Sequence, residues 1–229
     1  MSQQLMKAIV TVGRLMYERG YIVGTEGNIS ARLDNQRIIA TPSGFCKGLL
    51  TEADLVIIDT TGQLIEGKHR VSSEIQLHLA IYEERPDVQA VVHAHPPYCL
   101  ACMLANLSFD RPTMAETVVF LGKVPIAPYA RPSTAAVGDS IRPFIQQTDF
   151  VLLDHHGSVT AGQDVWDAFF KLEMLENTAR IYYLAARLGS VRELPEAEQQ
   201  ALLHLREKTY HTTGKIMPHN TGASLTSKE

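Results

Sequence analysis

Two histidines spaced i, i+2 close an apolar run in Val91-Val92-His93-Ala94-His95-Pro96-Pro97. The small and β-branched residues from Val88 to Val92 read as a buried strand, and side chains two apart on a strand point to the same side. His93 and His95 can therefore hold one metal ion together as neutral imidazoles. Taken alone, the pair is equally well explained by one packed and one surface histidine. A second run of the same kind, Phe150-Val151-Leu152-Leu153, leads into Asp154-His155-His156-Gly157 and again brings imidazole to a sheet edge. Three imidazoles, His93, His95 and one of His155 or His156, with a fourth position open, are the donor set of a catalytic divalent-metal site, most naturally zinc.

A base and an anion cradle are also within reach. Val71-Ser72-Ser73-Glu74-Ile75-Gln76 has the pattern of a helix start, with Ser73 as N-cap and Gln76 three residues on. Helix N-termini suit phosphate. On local grounds alone, Glu74 would do no more than complement the helix dipole. The loop Gly24-Thr25-Glu26-Gly27-Asn28-Ile29-Ser30 lets backbone approach a ligand closely. Thr41-Pro42-Ser43-Gly44 adds a hydroxyl and turn N–H groups of the kind that bind anions, although most such turns are only turns.

The elements that must position these groups follow from periodicity. Apolar residues from Leu5 to Met16 recur at helical spacing, with Gly20 as the stop. A β-hairpin turns at Asp34-Asn35. Thr51 caps a short helical turn before the strand Leu55 to Asp59, and the Ser73 helix runs towards Pro86. Pro97 opens a helix containing Cys99 and Cys102. A strand is expected around Lys123 to Ala127, then a helix from Ala135 to Gln147 with Pro143 as a kink or early break. Asp164 caps a long helix from Val165 to about Leu188, and Pro195 opens a last one through about Tyr210. Residues 211–229 read as a polar, flexible tail, so the expected organisation is one catalytic domain over 1–210 plus that tail.

Composition narrows the function classes. The 229 residues suit one large domain or two small ones; 45% hydrophobic and 20% charged content are ordinary for a globular chain. A formal net charge of -4 leaves no basic footprint for nucleic acid. No apolar run approaches membrane-spanning length, and Met1 to Leu5 lacks the pattern of an export signal, so the expectation is cytoplasmic. The 3 cysteines are too few for a disulfide scaffold; Cys99 and Cys102 lie in an apolar helical run and read as core.

Gly27-Asn28-Ile29-Ser30, Thr41-Pro42-Ser43-Gly44, Ser72-Ser73-Glu74, His93-Ala94-His95-Pro96 and Leu152-Leu153-Asp154-His155-His156-Gly157 together resemble the class II aldolase/adducin family, of the fuculose phosphate aldolase and ribulose phosphate 4-epimerase type. The resemblance runs from about residue 5 to residue 210. It implies a three-layer α/β/α fold with a central, largely antiparallel sheet, and a four-fold homotetramer with sites between subunits. It implies Zn2+, or another divalent metal such as Mn2+ or Co2+, on His93, His95 and His156, with His155 standing where the family commonly has asparagine. Asn28, Ser43, Gly44, Ser72 and Ser73 would hold a substrate phosphate. The family's aldolases carry glutamate where its epimerases carry aspartate, so Glu74 favours aldol chemistry, as the proton-moving group with its pKa raised by a half-dry pocket. The expected reaction is reversible cleavage of a ketose 1-phosphate, fuculose phosphate-like or deoxypentulose phosphate, to dihydroxyacetone phosphate and an aldehyde. A phosphosugar dehydratase, a decarboxylase and a 4-epimerase are the alternatives on the same fold, and a non-catalytic adducin-like module is the alternative of another class. One departure stands out: no tyrosine occurs in Pro112 to Thr117, where the aldolases keep one to serve the aldehyde oxygen, which leaves Glu116 or Tyr210 as substitutes.

Overall fold

Helix α1 (Ser2–Glu18) precedes four strands that pair in succession, β1 (Asn28–Arg32), β2 (Arg37–Ala40), β3 (Val56–Asp59) and β4 (Leu64–Glu66). Then come α2 (Ile75–Glu84), β5 (Ala90–Ala94), α3 (Pro97–Leu104), a π-helical segment (Thr117–Leu121), β6 (Ile126–Ala127) and α4 (Ala135–Ile145). The chain closes with β7 (Phe150–Leu153), β8 (Gly157–Gly162), α5 (Val165–Leu188), α6 (Glu196–Leu205) and a π-helical turn (Arg206–Tyr210). This computed structural model describes residues 2–210 and 214–219. The sheet order is β4-β3-β2-β1-β5-β8-β7-β6, antiparallel throughout except for β6 with β7. It has the three-layer α/β/α form expected from the sequence.

Both faces of the sheet are covered, which is why β5 is apolar without alternation. Ile75, Leu77 and Ile81 of α2 and Val137, Ile141 and Ile145 of α4 pack on Ile38, Val56, Val91, Val151 and Val159. Ile9, Val12 and Met16 of α1 and Phe169 and Leu172 of α5 pack on Ile29, Ala31, Ile39, Val92 and Ala94 from the other side. Cys99 and Cys102 are buried between α3 and α5 as free thiols, core residues as expected. No helix among the described residues is long and apolar enough to cross a membrane.

Several boundaries differ from expectation for local reasons. Ser73 does not cap α2: Glu74 occupies the N-cap position with φ −99° and ψ 10°, and the Ser72 hydroxyl accepts the Glu74 N–H at 3.3 Å. Pro143 neither breaks nor ends α4, which runs on to Ile145. Strand β8 has no apolar signature, because Gly157, Ser158, Thr160 and Gly162 are small enough to be buried with their hydroxyls bonded, as Thr160 is to the Ala168 carbonyl at 2.8 Å. Of the expected tail, residues 214–219 pack on the body, with the Lys215 N–H donating to Asp149 and the Lys123 N–H to the Met217 carbonyl. The rest, 211–213 and 220–229, lies outside the described residues.

The face of β1 that meets α2 is polar. Asn28, Ser30 and Arg32 alternate with Ile29 and Ala31, and opposite them stand Glu74, His78 and Tyr82. Four residues of helix advance about 6 Å and two of strand about 6.7 Å, so the two series meet in register. The Asn28 amide donates to Glu74 at 2.9 Å, Ser30 Oγ lies 2.6 Å from His78 Nδ1 and 2.9 Å from the Tyr82 hydroxyl, and Arg32 donates to the Tyr82 carbonyl at 2.7 Å. Burial of His78 lowers its pKa from 6.5 to about 4, against a smaller opposing effect of the Glu74 charge.

A pH dependence follows. Between about pH 4 and 6.5 the unfolded chain binds a proton at His78 that the folded chain excludes, so stability rises with pH across that window and is level above it. The group alone accounts for about 3 kcal/mol over the window. Urea unfolding at pH 7 and pH 4.5 should show His78→Gln losing less stability than the parent on acidification. Equal losses would mean that His78 is not held neutral.

Candidate active site

Three chain segments bring imidazole to one point. His93 is the fourth residue of β5, the strand between β1 and β8. Its Nδ1 lies 2.9 Å from the Ser158 carbonyl of β8, which fixes the proton there and leaves Nε2 bare. His95 follows the strand, its backbone N–H bonded to the Tyr21 carbonyl. Its Nδ1 stands 3.1 Å from Glu26 Oε2, so its Nε2 is bare as well, and the two Nε2 atoms face each other at 3.2 Å. His156 arrives from the β7–β8 turn, its ring centroid 4.8 Å from that of His93 and 5.3 Å from that of His95.

That turn separates His155 from His156. His155 takes a left-handed conformation, φ +54°, and points outward to pair with Asp154 at 2.7 Å and to lie edge-on to Tyr129. Gly157 follows because nothing larger fits: a Cβ there would stand 2.6 Å from the Ala94 carbonyl, 2.7 Å from His95 and 2.9 Å from His93.

These residues suit a divalent cation. One ring nitrogen from each of His93, His95 and His156 lies within 4.8 Å of the others, the spacing of a shared ligand. Two bare nitrogens at 3.2 Å repel unless a cation lies between them, and the buried His156 Nδ1 has no hydrogen-bond partner. Burial lowers the pKa of His93 and of His95 and so keeps both rings in the neutral form that binds metal.

Glu74 faces the cluster, with Oε1 3.0 Å from His156 Nε2 and Oε2 3.4 Å from His93 Nε2. Here the expectation of a raised pKa is corrected. Burial does push the Glu74 carboxyl up, but the hydrogen bond from His156, the imidazoles gathered around it and the Asn28 amide together outweigh it and hold Glu74 below the usual carboxylate range. Glu74 is a carboxylate at neutral pH.

The other expected residues lie on the segments that lead into Glu74 and on the loops joined to them. A β-bridge between Pro42 and Val71 brings the Ser43-Gly44 turn beside Ser72 and Ser73. Gly44 has φ +75° and open space at its Cα, while the Ser43 N–H is already bonded to the Arg70 carbonyl. Ser73 is exposed and meets the Ser133 hydroxyl at 2.9 Å. Asn28 is engaged with Glu74 and with His78. Of the proposed substitutes for the tyrosine, Glu116 is exposed ahead of the Thr117–Leu121 segment, and the Tyr210 side chain lies outside the described residues.

Sequence reasoning missed three residues. Glu26 orients His95, and its signal was a carboxylate inside a glycine-flanked loop. His78 sits behind Asn28, and only its spacing of four from Glu74 pointed to it. Lys47 is buried, its ammonium bonded to the Thr25 carbonyl at 2.5 Å and the Phe45 carbonyl at 2.9 Å, so one cation ties the loop before Asn28 to the turn carrying Gly44. Burial lowers the Lys47 pKa to about 8, with smaller opposing effects from Cys46, Glu74 and Glu26.

The chain matches the family described as class II aldolase and adducin N-terminal domain over residues 7–183. It is 37% identical over 180 residues to the 3-oxo-tetronate 4-phosphate decarboxylase of Haemophilus influenzae, covering 76% of this chain and 85% of that one. It is 34% identical over 179 residues to the L-fuculose phosphate aldolase of Methanococcus vannielii, covering 78% and 96%. A solved L-fuculose 1-phosphate aldolase superposes with a TM-score of 0.80 at 28% identity, over 89% of this chain and 96% of that one. Motifs, fold and metal-ready histidines therefore lead to one conclusion: the chain belongs to the class II aldolase and adducin family, whose enzymes are metal-dependent lyases.

Proposed function

We propose that the chain is a zinc-dependent aldolase that cleaves a ketose 1-phosphate reversibly to dihydroxyacetone phosphate and an aldehyde. The observation that carries this reading is the Glu74 carboxylate held against three converging imidazoles. A divalent cation on His93, His95 and His156, zinc by the all-nitrogen donor set or else Mn2+ or Co2+, supplies Lewis acidity to the substrate's carbonyl and adjacent hydroxyl. Glu74 moves the proton at the carbon next to that carbonyl, taking it in condensation and returning it in cleavage. Gly44, Ser43, Ser72 and Ser73 meet the substrate phosphate in the corner braced by Lys47, with Asn28 at its inner edge. A non-catalytic module has no use for a complete donor set and a buried carboxylate. The epimerases of the resemblance carry aspartate where this chain has Glu74.

Decarboxylation of a phosphorylated 3-oxo sugar acid is the second reading. Departing carbon dioxide has no hydroxyl proton to surrender, so that reaction dispenses with the tyrosine missing from Pro112 to Thr117, and the Haemophilus influenzae relative carries that name. The family resemblance implies a homotetramer, and side chains such as Leu49, 80% exposed, and Leu188, 91% exposed, are apolar surface suited to subunit contacts.

Purified protein should hold a divalent metal, and chelation should abolish turnover. His95→Ala should lose the metal, and Gly157→Ala should weaken its binding by displacing His93 and His95; full metal content in His95→Ala would sink the ligand assignment. Glu74→Gln should keep the metal while kcat falls by about 10² to 10⁴. Product analysis on a panel of sugar phosphates and 3-oxo sugar acid phosphates decides between the readings, since dihydroxyacetone phosphate marks the aldolase and carbon dioxide the decarboxylase. Sedimentation equilibrium should return four times the chain mass, and a monomer would remove the tetramer.

A further inference from the structure

The column behind Glu74 is fully buried, and each of its hydrogen bonds has one allowed direction. Asn28 turns its amide nitrogen to Glu74 Oε2 at 2.9 Å, so its carbonyl oxygen faces His78 Nε2 at 2.5 Å. An amide oxygen only accepts, which puts the His78 proton on Nε2. His78 Nδ1 is then a bare acceptor for the Ser30 hydroxyl at 2.6 Å, and the Ser30 oxygen in turn accepts from the Tyr82 hydroxyl at 2.9 Å. In the opposite tautomer Nε2 would be bare. The Asn28 amide would have to flip to bond it, aiming its oxygen at the Glu74 carboxylate, two acceptors with no proton between them.

We propose that His78 is a positioning residue for the reaction: by donating from Nε2 to Asn28 it locks the amide so that Asn28 Nδ2 pins Glu74 Oε2 and sets the plane of the carboxylate. Such a pin is needed because the last torsion of a glutamate is broad and sets no orientation by itself. Glu74 Oε1 faces His156 and Oε2 faces both Asn28 and His93, so a turn of that torsion would move both oxygens off their partners. Neutral His78, held so by burial, keeps a single proton to donate. The inference rests on the reading of Glu74 as the proton-moving group.

The test uses the full-length, metal-loaded protein with His78→Gln, His78→Asn and His78→Leu. Glutamine can present an N–H near the Nε2 position; asparagine is too short to reach Asn28, and leucine has no donor. The loss of one hydrogen bond to a charged group's support should lower kcat about 10- to 100-fold in the asparagine and leucine variants. KM and bound metal should stay near the parent values, and glutamine should recover most of kcat although its melting temperature falls as far as that of asparagine. Long-range ¹H–¹⁵N correlation spectra of the parent should show His78 as the Nε2–H tautomer. An Nδ1–H tautomer, or a kcat that follows melting temperature without regard to the donor, overturns the proposal. So does a rise in KM at unchanged kcat. If the parent turns over no phosphorylated substrate, the reaction reading falls, and the tautomer still decides the direction of the column.

Discussion

The site depends on one carboxylate taken most of the way out of water and kept charged. Glu74 is only 17% exposed in its side chain, and an ionised carboxylate at such a place persists only if every oxygen finds a donor or a cation. His156 and Asn28 answer that demand from two directions, and Asn28 is itself held from behind by His78. Buried polar groups of this kind must be satisfied together or not at all. That constraint explains why the polar face of β1 is opposed by the polar face of α2 and not by the apolar residues that cover the rest of the sheet.

The fold supplies the rigidity. His93 sits in a central strand bonded on both sides, so its Cα cannot move without breaking pairs to β1 and β8. The tight β7–β8 turn throws His155 out and His156 in, and the absence of a side chain at Gly157 lets the turn close over His93 and His95. Glu74 stands at the head of α2, where a non-helical backbone conformation turns it towards the metal-ready cluster. Chemistry built on strand ends and helix starts in this way keeps distances within hydrogen-bond tolerance, as general acid–base work requires.

The proposed substrate end is arranged with less protein. Ser73 and Gly44 are open to solvent, and their loops are drawn together by Lys47 and by the Pro42–Val71 bridge. Aldol cleavage and decarboxylation share what the metal-facing half provides, a carbon that becomes electron-rich next to a carbonyl and a carboxylate to manage its proton. They differ at the departing group, and no tyrosine stands between Pro112 and Thr117 in this chain. The relatives divide along the same line, into sugar phosphate aldolases and sugar acid phosphate decarboxylases.

The sequence by itself determined most helix and strand positions, the histidine pair and the buried cysteines, because each of these is written in short-range periodicity or local capping, while the layer architecture was implied by the family resemblance. It also carried the motifs that identify the family. It missed β4 and β8, the first short and exposed, the second made of small residues whose burial depends on what lies across the sheet. Spacing alone left His155 and His156 interchangeable until the family resemblance singled out His156, and the left-handed turn at His155 is what points the His156 ring inward. The sequence put the pKa of Glu74 on the wrong side, because burial can be guessed from a chain but the Asn28 amide and the His156 imidazole that help to outweigh it come from residues 46 and 82 positions away. Only the tertiary structure could decide such questions: charge balance, hydrogen-bond direction and the register of β1 against α2 are sums over neighbours that the chain brings together only on folding.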